Sequence, residues 1–224
     1  MKNILKDYPQ PTEPRYLKKN FRNFKDRIVA SYRDNNFFDG SRSTGYGGYK
    51  YDGRWKKVAQ NCCELFNLKP YSKILHINCE YGFLINDLAE IDNTFELCGT
   101  ETSDYAIKKS LPTVKSFIRK CKPIDINYPE NYFDLVIGLG IVYTQTLPDA
   151  LKLLKIISNI SKNNNSFITL AAHETDEEKN LFNDWTLGGN LCLKRDEWQL
   201  MFEESDYKGE YLFIDSNYLS LEYA

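Results

Sequence analysis

Histidine and methionine are scarce in this chain, with two of each in 224 residues. Only His76 and His173 offer an imidazole, and the six cysteines (62, 63, 79, 98, 121 and 192) form no Cys-x-x-Cys pair. That removes the usual zinc-ligand spacings, and no metal site is expected. No apolar run reaches the length of a membrane span. The opening stretch, MKNILKDYPQPTEPRY, lacks the sustained apolar core of a secretory signal. A cytoplasmic protein with reduced, mostly buried thiols is therefore expected. Neither sign of charge is in excess: Lys and Arg number 29, Asp and Glu 31, for a net charge of -2. That balance does not point to a general nucleic-acid or membrane-surface binder, and it leaves room for a local basic patch. Internal repeats and low-complexity segments are missing too. What remains is ordinary globular material, 42% hydrophobic and 27% charged, long enough to bury a core without disulfides.

Residues 1–20 are polar and carry Pro9, Pro11 and Pro14, which reads as an extended arm with little stability of its own. Residues 21–34 place Phe21, Phe24, Ile28, Val29 and Tyr32 on one face of a helix. A loop rich in glycine and tyrosine, GSRSTGYGGYKYDGRW (40–55), permits close backbone approach. A helix from Trp55 to Leu68 then stops before Pro70. After it, strands predicted at 73–78, 95–100, 121–126, 133–140, 166–172 and 210–215 alternate with helices at 82–90, 103–110, 148–160 and 195–205. The alternation predicts an α/β fold, a Rossmann-like doubly wound and mostly parallel sheet. Residues 1–55 form an N-terminal arm, helix and lid, and residues 56–224 the α/β domain.

Ligands of such sheets sit beyond the carboxyl ends of the strands. A nucleotide-type loop there needs residues that tolerate a positive φ. Gly82 meets that need, and Asn78 is the non-glycine type best able to. Glu80 adds a side chain and a negative charge. On the residues alone, this stretch reads equally as a cofactor loop or as an ordinary strand-to-helix turn.

Leu75-His76-Ile77-Asn78-Cys79-Glu80-Tyr81-Gly82 resembles the first motif of class I S-adenosylmethionine (SAM) methyltransferases, an acidic residue, an apolar one, then Gly-x-Gly-x-Gly. His76 stands at the acidic position, Asn78 and Glu80 at the first two glycines. CGTETSDYAI (98–107) resembles the second motif. Glu101 there holds the place of the acid that bonds both ribose hydroxyls, a task suited to a carboxylate. IDINYPENYFDLVIGLG (124–140) is similar to the segment leading into strand four; on the best frame Lys122 falls at the place of the acid that contacts the adenine, and Asp125 lies a few positions away. YGGYKYDGRWKKVA (46–59) and NDWTLGGNLCLKRDEWQLMFEESDYKGEYLFI (183–214) resemble the lid and C-terminal stretch of a bacterial subgroup suspected of work on sugar and surface-polysaccharide precursors. The subgroup's Asn and His after strand four are replaced here by Gly140 to Gln145, which includes Tyr143 and Thr144. The resemblance implies SAM held by Asn78, Glu80, Gly82, Glu101 and Asp125, with Arg54 pairing a carboxylate, and methyl transfer to a small-molecule acceptor.

Methyl transfer from a sulfonium is an in-line displacement, so a protein chiefly aligns the acceptor and excludes water. A hydroxyl or amine acceptor gains from a base. His173, just after the fifth strand, is the candidate base, with a plain loop-end histidine as the rival reading. His76, within a strand, reads as a hydrogen-bonded core residue. Tyr143 and Tyr49 are candidate catalytic hydroxyls, and Tyr46, Tyr51, Arg54 and Trp55 complete a closing lid. Trp185 and Trp198 read as core. Expected partners are a small-molecule substrate and either a second copy or a related protein. Three rivals stand beside methyl transfer: a degenerate relative kept for binding or scaffolding, a SAM or nucleoside binder with altered chemistry near Glu80, and nucleotide-sugar oxidoreduction.

Overall fold

Short apolar runs between polar turns become strands, and amphipathic runs become the helices that cover them. The computed structural model describes residues 2–224. In chain order the elements are β1 (Arg15–Leu17), α1 (Phe24–Ser31), α2 (Asn35–Phe38), α3 (Lys56–Phe66), β2 (Lys73–Ile77), α4 (Phe83–Ile91), β3 (Glu96–Glu101), α5 (Asp104–Lys109), β4 (Ile118–Lys120), β5 (Leu135–Gly138), α6 (Leu147–Ile160), β6 (Ser166–His173), α7 (Asp176–Trp185), β7 (Leu193–Lys194), α8 (Arg195–Ser205), β8 (Glu210–Ile214) and β9 (Leu221–Tyr223).

The main sheet runs β4-β3-β2-β5-β6, and both β7 and β8 pair with β6 at its far side. Every pairing in it is parallel. The chain enters at β2, moves outward through β3 and β4, then returns to lay β5 on the other side of β2. That reversal makes the carboxyl ends of β2 and β5 the switch point, where such sheets open a crevice.

Alternate side chains of the strands feed two cores, as a pleat demands. Leu75, Ile77, Val136 and Ile168 pack with Leu153, Leu154 and Ile157 of α6 and Trp198 of α8. Ile74, Leu135, Ile137 and Phe167 pack with Val58 and Cys62 of α3 and Leu84 and Leu88 of α4. Trp198 is fully buried and donates its indole N–H to the Ala171 carbonyl at 2.8 Å, as its reading as core requires.

Three expectations need correction. The third strand lies at Ile118–Lys120, not at 121–126, where Pro123–Asp125 form a 3-10 turn. Proline has no N–H for the ladder, so the pairing ends before it. The arm is partly core: Ile4 and Leu5 are buried against α3, and Asn61 donates to the Ile4 carbonyl at 3.0 Å. The helix of 21–34 is shorter, and its apolar stripe faces solvent, with Phe24 85% exposed. β1, α2, β7, β9 and α7 are additions to the predicted set.

α7 begins with a reciprocal cap. Thr175 Oγ1 accepts from the Glu178 N–H at 3.2 Å, and Glu178 Oε2 accepts from the Thr175 N–H at 3.3 Å. Thr175→Ala is expected to cost about 1 kcal/mol, read as a fall of about 2–4 °C in Tm. No change in a thermal melt would show that the cap carries no stability.

All six cysteines are free thiols. Among the described residues no group of three His, Cys, Asp or Glu side chains could hold a metal ion, and no helix is long and apolar enough to cross a membrane.

Candidate functional site

The loop leaving β2 turns sharply through three residues in the left-handed region: Asn78 (φ 55°), Glu80 (φ 56°) and Gly82 (φ 76°). Only Gly82 is a glycine, and it must be. A Cβ there would lie 2.8 Å from Val114 Cγ2 and 2.9 Å from Ile118 Cδ1. Asparagine tolerates this region and glutamate does so at a cost of about 1–2 kcal/mol. The backbone path of a glycine-rich loop is thus kept with two side chains added. It is fixed to β3 by Cys79 N–H to the Thr100 carbonyl at 2.9 Å and closed by Gly82 N–H to the Cys79 carbonyl at 2.9 Å.

Glu101 ends β3 beside this loop, with its side chain fully buried. Its Oε1 accepts from the N–H groups of Thr102 (2.8 Å) and Ser103 (2.9 Å), and its Oε2 from that of Glu80 (2.9 Å). Arg33 covers it. The Arg33 guanidinium lies 3.6 Å from Glu101 Oε2 and 3.4 Å from Glu80 Oε1, and its plane sits over Phe37 and Phe38. Burial disfavours the charged guanidinium, but the carboxylates of Glu101 and Glu80 outweigh that and raise its pKa. Two features show strain. Arg33 has φ 48°, and its buried Nε has no partner. Ser103 Oγ donates to the Arg33 carbonyl, which fixes the turn between α1 and α2.

Glu80 is also held by the lid, accepting from the Tyr46 hydroxyl at 2.7 Å. Burial raises its pKa above the ordinary carboxylate value. Tyr46 stacks on Tyr49 at 4.4 Å, and Tyr49 on Phe83 at 4.8 Å. Burial, then the nearby Glu80 carboxylate, pushes both tyrosine pKa values well up. Tyr51 donates to Asp87 at 2.6 Å, and Tyr81 and Tyr105 both donate to Asp39. The lid is therefore fastened to the sheet edge by rings and hydroxyls together.

Under the lid lies a cavity of about 380 Å³. Of the candidate residues, Tyr49, Arg54, Asn78, Glu80 and Tyr143 line it, and Gly82, Glu101, Asp125 and His173 do not. The Arg54 fork is engaged with Asp52, its Nε at 2.8 and 2.9 Å from the two carboxylate oxygens. Burial raises the Tyr143 hydroxyl to about 12. Asp125 is exposed on its 3-10 turn. His173 is buried at the last position of β6, paired with Lys194, and its Nδ1 has no partner. Thr169 of the same strand lines the cavity, and four residues at about 3.3 Å each carry the strand well beyond it.

His76 and Arg33 were not singled out for the site by sequence. His76 lines the cavity, is 7% exposed, and has an unpartnered Nδ1. Its place at the acidic position of the loop frame was the signal. Arg33 carried none. Burial lowers the His76 pKa to about 4, so a neutral imidazole faces the cavity at pH 7. Its NMR titration is expected near pH 4. Because the folded value lies below the unfolded 6.5, the unfolded chain binds the proton first as pH falls. The stability His76 contributes is complete above pH 6.5 and is lost between there and about 4, by at most about 1.4 kcal/mol per pH unit. A titration midpoint near the unperturbed value would remove His76 from the dry cavity wall.

The sheet, its switch point and the β2 loop define a Rossmann-like fold of the methyltransferase type. No protein-family model matches the sequence, and no curated protein sequence matches it. Solved structures do. YcgJ from Bacillus subtilis is 11% identical, with TM-score 0.54 and 66% of each chain covered. A Bacillus halodurans protein assigned as a methyltransferase is 12% identical, with TM-score 0.52, covering 66% of this chain and 67% of that one. The [4+2]-cyclase SpnF is 10% identical, with TM-score 0.50, covering 87% of this chain and 74% of that one. At these identities the likeness is one of fold, and the cyclase is a reminder that this fold hosts more than one chemistry.

Proposed function

We propose that the chain binds an S-adenosyl cofactor and transfers its methyl group to a small-molecule acceptor, with the present closed form as the resting state. The observation that carries this reading is the left-handed path at Asn78, Glu80 and Gly82 beside Glu101, at the switch point and next to a lid-covered cavity. The backbone fits the cofactor. The side chains fit it only when Arg33 lifts from Glu101, since the carboxylate that would take the ribose is now wholly buried. Bound SAM would supply an electrophilic methyl group. The chain's own part is to hold the ribose at Glu101, to close Tyr46 and Tyr49 over the acceptor and so exclude water, and to accept a proton. For that last task His76 lines the cavity and His173 does not, although burial leaves His76 a weak base. Tyr143 would orient an acceptor hydroxyl. A sugar-like acceptor suits the rings and hydroxyls of the wall.

Arg33 and Glu80 also favour a second reading, a fold that has lost methyl transfer and been kept for binding. Calorimetry with S-adenosylhomocysteine on the wild type and on Arg33→Ala separates the two. Methyl transfer with a closed resting state expects measurable binding that tightens at least tenfold, or about 1.4 kcal/mol, once Arg33 is removed. Silence from both folded proteins would leave the second reading.

A further inference from the structure

α1 turns its polar side inward and its apolar side outward. Arg22, just before it, donates to the carbonyls of Trp185 (3.3 Å), Arg42 (2.7 Å) and Ser43 (2.8 Å), and Arg27 donates to the Asn183 carbonyl. Asn23 caps the helix by accepting from the Asp26 N–H at 2.8 Å. These bonds fix the helix, and Ala30 is its buried residue. On the opposite side Phe24 is 85% exposed, Tyr32 68%, Ile28 55% and Phe21 46%. Phe24, Ile28 and Tyr32 are spaced by four, so they form one stripe along the helix. Lys25 is exposed next to Phe24, and Lys18 and Lys19 are exposed just upstream.

Charge follows the same division. Residues 1–57 hold fourteen Lys and Arg against six Asp and Glu, and residues 58–224 hold fifteen against twenty-five. The near-neutral total therefore divides into a basic N-terminal segment, which includes the stripe, and an acidic remainder.

We propose that α1 is an interfacial anchor that seats the protein reversibly on an anionic lipid surface. Rings and an isoleucine flanked by lysines match the boundary between acyl chains and headgroups, where apolar bodies sink and ammonium groups stay wet. The exposed Lys18, Lys19 and Lys25 are complementary to acidic headgroups. The stripe exposes roughly 500 Å² of side chain, short of the roughly 800 Å² per partner that a stable protein–protein contact buries. That favours a lipid surface over a second copy. The inference does not rest on the methyl-transfer reading.

The test is co-sedimentation of the full chain with vesicles of phosphatidylcholine alone or mixed with phosphatidylglycerol. The wild type is expected to bind the mixed vesicles at least tenfold better than the neutral ones, and less so as salt rises. Phe24→Ser with Ile28→Ser should lower that binding at least tenfold, and Lys18→Glu with Lys19→Glu and Lys25→Glu should do the same. All five side chains are exposed, and circular dichroism checks the fold. Failure of the wild type to sediment with the mixed vesicles would overturn the proposal. So would full binding by the Phe24→Ser, Ile28→Ser variant, which would leave charge alone at work. A lipid-free dimer in sedimentation equilibrium, abolished by the same variant, would assign the face to a second copy and overturn it too.

Discussion

Glu101→Ala is expected to destabilise the chain by about 3–5 kcal/mol, the cost of breaking a buried charge network by removing one partner. The reason is the number of groups that converge on one carboxylate. The N–H groups of Glu80, Thr102 and Ser103 all end on it, and the Arg33 guanidinium lies over it. Alanine leaves three donors without their acceptor, each at a cost of about 1–3 kcal/mol before relaxation. It also leaves Arg33 with Glu80 as its sole carboxylate. Urea unfolding measures this as a lower midpoint at unchanged slope. A loss below about 1 kcal/mol would mean that the carboxylate is not the hub of the loop. The experiment also bears on cofactor work, because weakened nucleoside binding in this variant would be uninterpretable without the stability measurement. Glu101→Gln is the gentler companion, since it keeps one acceptor oxygen and the shape.

Glu80→Gly is expected to tighten S-adenosylhomocysteine at least tenfold over the wild type, about 1.4 kcal/mol. Two effects have the same sign. The carboxylate that would face the carboxylate end of the cofactor is gone. Arg33 loses the nearer of its two partners, at 3.4 Å, and can leave Glu101 more readily. One effect opposes them, the loss of the Tyr46 hydroxyl bond that helps to shut the lid. Calorimetry on the two proteins decides the sign. Weaker binding by the variant would make Glu80 a ligand of the cofactor's cationic part, in keeping with altered chemistry at this point.

The sheet was legible because parallel strands buried on both faces are short apolar runs with no other use. Ile74 to Ile77 and Leu135 to Gly138 are of that kind. The third strand slipped because two of the three residues Ile118-Arg119-Lys120 are charged, whereas Cys121 to Ile126 looks more apolar and conceals Pro123. The loop after β2 and Glu101 could be placed by frame, since a strand's end fixes what lies at the sheet edge. Arg33 could not. In sequence it is one basic residue after a helix, and its role comes from a turn with φ 48° that sets its carbonyl against Ser103 and its guanidinium against two carboxylates far along the chain. The stripe of α1 was read in part: Phe24, Ile28 and Tyr32 share a face, whereas Phe21 precedes the helix and Val29 lies off the stripe. Periodicity does not say which face is wet, and here Arg22 and Arg27 settle it by bonding carbonyls on the inner side.

The small sheet of β1 and β9 has a consequence for biosynthesis. Arg15 pairs with Leu221 and Leu17 with Tyr223, sealed by Arg15 N–H to the Ser220 carbonyl and Ala224 N–H to the Leu17 carbonyl. The two partners leave the ribosome about 200 residues apart, which at 5–20 residues per second is roughly 10–40 s. For that interval β2 to β6 can be laid down in order while residues 15–17 wait with no strand to join. α1 and the lid dock on residues 80, 87 and 183–185, so they can settle earlier, and β1 itself is the piece that must wait. A nascent chain stalled before Leu221 would hold a nearly complete sheet with residues 15–17 unpaired, and pulse proteolysis of such a stalled chain should cut first around β1.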